Sequence, residues 1–180
     1  MSDEALTVWT VGHSTRTLNE FLELLTANAI EALADVRRFA GSRKYPQFDQ
    51  ATLRDALAEL GVQYVPFPEL GGRRRPRPDS HNTVWRNESF RAYADYMERD
   101  EFRIGVARLL ELARQRRTVI MCAEAVWWRC HRSMIADFLK ASGICVQHIL
   151  SATKNQVHPY TSAARVRGGA LVYGPAPSSG

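Results

Sequence analysis

The sequence predicts an α/β protein: one domain with a mostly parallel sheet of about five strands and helices on both faces. Two observations carry that expectation. Short β-branched runs alternate with amphipathic stretches along most of the chain, the pattern that feeds parallel strands through crossover helices. A length of 180 residues, 45% hydrophobic and 24% charged, also suffices for one proper core, while two full domains would be cramped.

The first strand is Thr7 to Gly12 (TVWTVG), β-branched and closed by Gly. Thr17 and Glu20 then have capping-box spacing, and Leu18, Phe21, Leu22 and Leu25 make one apolar helix face. Ala32 to Val36 reads as a second strand, followed by a polar loop through Arg37 to Phe48. Asp49 is placed to cap a helix carrying Leu53, Leu57 and Leu60, and Gly61 ends it. Val62 to Phe67 is a third strand, limited by Pro66 and Pro68. After an irregular stretch from about Gly71 to Asn87, a helical pattern runs from about Ser89 to Arg116, with a break expected near Asp100. Thr118 to Cys122 is the fourth strand, a helix covers about Cys130 to Ser142, and Ile144 to Leu150 is the fifth strand. From Arg167 to Gly180 the chain is rich in Gly, Pro and Ser, so residues 1–166 read as the domain and 167–180 as a loose tail.

Composition narrows the partners. The net charge is +5, and 21 of the 24 basic residues are Arg, the only lysines being Lys44, Lys140 and Lys154. This favours an anionic small molecule or nucleic acid, although an Arg skew also follows from genomic codon usage. No apolar run nears the roughly 20 residues that span a bilayer, and MSDEALTVW lacks a signal-peptide layout. No membrane association and a cytoplasmic location are therefore expected. The three cysteines, Cys122, Cys130 and Cys145, read as free thiols.

Parallel strands deliver their carboxyl ends to one edge, so residues following each strand become neighbours. Here that edge collects Gly12, His13, Ser14 and Thr15 from the first strand, Asp35, Arg37 and Arg38 from the second, and Glu69, Gly71 and Gly72 from the third. The fourth contributes Cys122 and Glu124 and, across a loop, Cys130, His131 and Arg132. The segments VGHSTRTLNEF, LADVRRFAGSRKYPQF, YVPFPELGGRR, MCAEAVWWRCHRSMIAD and VQHIL resemble, in order and spacing, the bacterial and archaeal domain-of-unknown-function family number 488. The likeness spans about Thr7 to Leu150. It implies a compact α/β domain whose GHS, DVR, ELGG, CAE and CHR residues form a shared site, and it supplies no reaction. Ala125 to Trp128 (AVWW) departs from the more polar sequence of many relatives, which puts the entrance of the site in question.

Cys130 sits near a helix start between Arg129 and Arg132, where the helix terminus and the cations lower a thiol pKa. It is a candidate nucleophile, or else a small residue packing the helix on the sheet. Adjacent helical residues diverge by roughly 100°, so His13 is the expected base and His131 a substrate-binding residue. Glu124 is a candidate acid or base if held against Trp127 or Trp128, or a partner of Arg132 or Arg37. Cys122 reads as packing. The turn Gly12, Ser14 and Arg16 suits a phosphate through backbone amides, or is ordinary N-capping.

Asp35 binds a substrate hydroxyl or neutralises Arg37 or Arg132, while Arg37, Arg43 and Arg132 form a cationic set fit for an anion. Glu69, Gly71 and Gly72 shape a turn, and Arg73, Arg74, Arg75 and Arg77 either track a nucleic-acid backbone, with Trp85 or Tyr93 for stacking, or form a solvated charge run. Cys122, Glu124, Cys130 and His131 match no common zinc spacing, and no metal is assigned. His148, near the end of the fifth strand, could join the same edge. No cofactor can be named, and GxxxxGK[ST] and GxGxxG are absent. Arg16 stands where a nucleophile elbow needs Gly. The Cys130 to Arg132 interval is too short for a tyrosine-phosphatase loop. The expected function is therefore an enzyme of unknown reaction acting on a nucleotide, nucleic-acid component or other phosphorylated substrate. The alternatives are a noncatalytic nucleic-acid-binding module and a metal-dependent hydrolase.

Overall fold

The computed structural model describes residues 5–38 and 44–175. In chain order the elements are β1 (Thr7–Gly12), α1 (Leu18–Ala27), β2 (Ala32–Asp35), α2 (Gln50–Glu59), β3 (Gln63–Pro66), α3 (Glu88–Tyr96), α4 (Asp100–Gln115), β4 (Thr118–Cys122), α5 (Arg132–Ala141), β5 (Cys145–Ile149), β6 (Asn155–Val157), β7 (Arg165–Arg167) and β8 (Ala170–Val172). The main sheet has the order β3-β2-β4-β1-β5-β6. Its first five strands in that order are mutually parallel, and β6 is antiparallel at the edge.

Strand alternation divides the core in two, because successive side chains point to opposite faces. Trp9, Val11, Val119 and Met121 meet Phe21 and Leu25 of α1 and Leu53 and Leu57 of α2 on one face. Val8, Ile120 and Cys122 meet Tyr93 of α3, Phe102 and Leu109 of α4, and Ile135 and Leu139 of α5 on the other. The capping box at α1 forms as its spacing predicts: Glu20 N–H donates to Thr17 Oγ1 at 3.1 Å, and Thr17 N–H donates to Glu20 Oε1 at 3.0 Å. The break near Asp100 separates α3 from α4. Asp49 occupies the N-cap of α2 but makes no side-chain cap hydrogen bond.

Two features depart from the expected outline. β6, only three residues long, covers the edge of β5, and a run that short has no periodicity to read. Residues 167–173, expected within a loose tail, are folded. β7 and β8 pair through Gly168 and Gly169, both at positive φ, as a two-residue hairpin turn requires. The buried Tyr173 then donates its hydroxyl to Asp137 Oδ2 at 2.7 Å.

Asp137, on α5, is the end of a buried polar chain. His158 Nε2 lies 2.8 Å from Asp137 Oδ1, His148 Nε2 lies 2.8 Å from His158 Nδ1, and Thr10 Oγ1 lies 2.5 Å from His148 Nδ1. The carboxylate only accepts, so His158 donates to it, His148 donates to His158, and Thr10 donates to His148. This chain ties β1, β5 and the segment after β6 to α5. Among the described residues no helix is long and apolar enough to cross a membrane.

Candidate active site

The connection from β1 runs to β2 beyond β4, whereas that from β4 runs to β5 beyond β1. Two chains leaving adjacent strand ends in opposite directions open a crevice between them, the usual ligand position in open α/β sheets. Here it is a cleft of about 450 Å³ whose walls include His13, Cys122, Glu124, Cys130 and His131.

The loop after β4 is pinned from several sides. His13 N–H donates to Cys122 O at 3.0 Å and Ser14 N–H to Ala123 O at 2.9 Å, which extends the β1–β4 ladder past both strands. Gly12 is required there, since a Cβ would fall on the Glu124 carbonyl oxygen. Buried Arg132 donates Nη2 to the carbonyls of Glu124 and Ala125 at 3.1 and 3.0 Å. Trp127 stacks flat on His148, with centroids 4.6 Å apart, and donates Nε1–H to Gln156. The loop so held delivers Cys130 in an extended conformation, φ −132° and ψ 152°, just ahead of α5.

Because Cys130 precedes the helix, its side chain and that of His131 converge. Cys130 Sγ lies 3.4 Å from His131 Nδ1, and His131 Nε2 lies 2.9 Å from the Val36 carbonyl oxygen. A carbonyl only accepts, so Nε2 carries the proton and Nδ1 turns its lone pair to the thiol. Gly72 leaves room for the ring, as a Cβ would sit 3.0 Å from Nδ1. Burial is the main cause that lowers the His131 pKa below its ordinary value, which keeps the imidazole neutral and able to accept.

Cys122 Sγ is 2.8 Å from Cys130 Sγ. Burial drives the Cys122 pKa well above its ordinary value. Burial also pushes Cys130 up, but the Cys122 hydrogen bond, the Arg132 guanidinium and the Arg132 backbone N–H outweigh it and the net direction is down. Cys122 therefore keeps its proton and donates it, while Cys130 ionises first. Arg132 sharpens this asymmetry: its Nε and Nη1 are buried without hydrogen-bond partners, and it makes no ion pair with a carboxylate among the described residues. A buried cation without a counter-charge favours an anion beside it, and the nearby sulfur can supply one.

The remaining wall is mixed. Arg38, Arg73 and Arg129 bring positive charge, and Tyr45, Phe90 and Tyr93 bring aromatic surface. His13 stacks on Phe48 at 4.4 Å. Its Nδ1 lies 2.9 Å from Ser14 O and must donate there, which leaves Nε2 as acceptor. Burial again lowers its pKa. Among the described residues no three His, Cys, Asp or Glu side chains are grouped to hold a metal ion.

In comparison with models of known families, residues 17–139, more than half of the chain, match the domain of unknown function DUF488. The chain belongs to the DUF488 family. No curated protein and no solved structure compared with this DUF488 chain matches it.

The cleft of this DUF488 chain brings together His13, Arg37, Gly72, Arg73, Glu124, Cys130 and His131 from the expected set. Several take different roles. His131, not His13, contacts Cys130, because the divergence of neighbouring helical side chains does not apply ahead of the helix. Glu124 is exposed, and Trp127 faces His148 instead of packing over it. Asp35 and Arg37 satisfy each other: Arg37 Nε and Nη2 reach the Asp35 carboxylate at 2.9 and 2.7 Å, and Tyr64 OH donates to it at 2.5 Å.

Glu69 pairs with Arg108 of α4 and does not line the DUF488 cleft. Gly12 and Gly71 serve close packing, Gly71 lying where a Cβ would come within 2.8 Å of Arg38 Cα. The amides of His13 and Ser14 are spent on β4-side carbonyls, so the proposed phosphate turn is closed. Ser14 itself adopts φ 51°, and Arg16 Nε reaches back to Gly12 O at 3.4 Å. Arg132 lies beneath the loop instead of in the cleft. Arg43 falls outside the described residues.

Arg38, expected at this edge, also lines the DUF488 cleft, and Tyr45, Ser89, Phe90 and Arg129 join it as residues the sequence does not place there. Arg129 carries a usable signal, since it adjoins the second cysteine. Ser89 and Phe90, on α3, carry none.

Proposed function

We propose that the chain is a cysteine-dependent enzyme acting on an anionic, phosphorylated substrate of the nucleotide or nucleic-acid-component class. The observation that carries this reading is Cys130 Sγ at 3.4 Å from the unprotonated Nδ1 of His131, whose Nε2–H is fixed on Val36 O. Nucleophile, base and orienting acceptor stand in the order that covalent catalysis uses. In the step this supports, Cys130 Sγ bonds to an electrophilic substrate atom and its proton passes to His131 Nδ1. The leaving group departs with its electron pair and takes that proton from His131 Nδ1. Arg38, Arg73 and Arg129 receive the anionic portion; Glu124 or His13 Nε2 takes a proton from an entering water, whose oxygen bonds to the held fragment as its bond to Cys130 Sγ breaks, and the sulfur recovers a proton. The expected place of action is the cytoplasm, where thiols stay reduced.

Iodoacetamide alkylation followed by mass spectrometry tests the nucleophile. Cys130 is expected to react with an inflection below the roughly 8.5 of a free cysteine, and His131→Gln to slow that reaction at neutral pH. Reaction of Cys130 no faster than Cys145 in the wild type would remove the basis for a thiol enzyme. A thermal-shift screen of nucleotides, nucleosides and sugar phosphates, with Arg129→Gln as control, identifies the substrate class.

A further inference from the structure

Beside the cleft lies a second depression of about 360 Å³, bordered by Arg74, Arg75, Arg77 and Arg99. Arg38 and Arg73 border both, so the two form one continuous surface. Its charge is built in. Arg74 is laid over the Tyr96 ring at 3.7 Å, with Nε donating to Gly71 O at 3.0 Å and Nη2 to Pro68 O at 2.9 Å. Tyr96 is fixed in turn by its hydroxyl on Glu69 O. These partners are neutral, so the Arg74 charge is positioned without being cancelled.

Asp95, the carboxylate on this surface, is occupied by the Arg77 backbone N–H, Ser80 and Asn82, which fold the arginine loop. Asp79 pairs with Arg77 at 3.5 Å. Arg75 and Arg99 make no ion pair among the described residues.

We infer that this arginine trench binds the backbone phosphates of a single-stranded nucleic acid while one of its nucleotides occupies the adjoining cleft. The inference rests on the reading of the cleft as a site for a phosphorylated substrate and extends it to a chain-like one. Two features select a nucleic acid among polyanions. The cleft wall holds the half-buried rings of Tyr45 and Phe90, and aromatic faces stack on bases of any sequence. A volume of about 450 Å³ admits one nucleotide and not a base pair within a helix, so the reacting unit must be unpaired. Planar guanidinium groups along the trench match phosphate oxygens.

Fluorescence anisotropy with short labelled DNA and RNA single strands, measured against salt concentration, tests this. Each phosphate contact on a single strand contributes roughly −0.7 to the slope of log K against log salt, so contacts by Arg74, Arg75, Arg77 and Arg99 give about −3. The exposed pair Arg75→Gln/Arg99→Gln is expected to lower the slope by about 1.4 and weaken binding at least tenfold at low salt. Arg114→Gln/Lys154→Gln, which removes the same charge elsewhere, is expected to keep the wild-type slope.

Equal slopes in the two double variants would overturn the trench. Tighter binding to the matching duplex, or equal competition by linear inorganic polyphosphate, would overturn the single-strand assignment. Binding is read here without turnover, so failure of the trench leaves Cys130 alkylation to decide the cleft on its own.

Discussion

Replacing Asp35 by Asn separates a structural carboxylate from a substrate-binding one. The Asp35 and Arg37 side chains are 1% and 7% exposed, and the carboxylate accepts from Arg37 N–H, Nε and Nη2 and from Tyr64 OH. Asn keeps the shape but removes the charge and turns an NH₂ toward the guanidinium, leaving a buried cation uncompensated. Breaking a buried pair from one side costs about 3–5 kcal/mol. At about 2–4 °C per kcal/mol for a chain of this size, the melting temperature should fall by about 6–20 °C. Thermal unfolding followed by circular dichroism reads this, with urea titration as the isothermal check. Asp35→Asn/Arg37→Met, which removes both charges, should recover a large part of the loss, because an apolar replacement of a buried pair is often neutral. A drop under about 2 °C, less than 1 kcal/mol predicts, would refute the assignment. So would an unchanged melting temperature with loss of ligand-induced stabilisation, which would return Asp35 to the substrate.

Stability should also fall with acid before the carboxylates titrate. Burial first, then electrostatic interaction with His158 and Arg132, lowers the His148 pKa from 6.5 to about 2. The unfolded chain therefore takes up a proton below pH 6.5 that the folded chain refuses, and stability present above that pH is lost at up to ~1.4 kcal/mol per unit. Urea titrations at pH 6.5 and 5 should differ by about 2 kcal/mol, with His13 and His131 acting in the same direction; identical midpoints would contradict it. Gly12→Ala drives a methyl into the Glu124 carbonyl and should cost about 1–3 kcal/mol while slowing Cys130 alkylation, and an unaltered alkylation rate would show that the loop does not depend on that contact. With the two sulfurs 2.8 Å apart, mild peroxide should convert Cys130 to a sulfenic acid that Cys122 resolves to a disulfide with release of water. Peptide mapping should then find the Cys122–Cys130 link, reversible by dithiothreitol; Cys130 sulfinic acid beside free Cys122 would contradict it.

Much of the layout was legible because local rules agreed with the tertiary structure. The TVWTVG strand, the Thr17–Glu20 capping box and the break at Asp100 each follow from spacing alone, and the convergence of Cys130, Glu124 and His13 follows from parallel topology. What escaped depends on the path of the chain between elements. His131 meets Cys130 only because the residue pair lies just before the helix, and its orienting partner is the main-chain carbonyl of Val36, which every residue possesses and no residue type signals. The sequence leaves Asp35 to bind either a substrate hydroxyl or an arginine, and the choice falls to Arg37 because Tyr64 and the Phe48 carbonyl complete the set. Gly168-Gly169 opens a stretch whose composition points to looseness, although paired glycines also make the tightest hairpins.

The Tyr173 hydroxyl on Asp137 gives the C-terminal hairpin a bearing on chemistry at the far end of α5. A chain shortened to residue 166, where glycine and proline begin to accumulate, would withdraw one of the donors to a carboxylate sealed in the core. It would also uncover the side of the helix on which β8 rests. The first turn of that helix carries Arg132, and Cys130 and His131 lead directly into it, so trimming at a boundary chosen by composition would loosen the thiol and its base while leaving every cleft residue in the sequence.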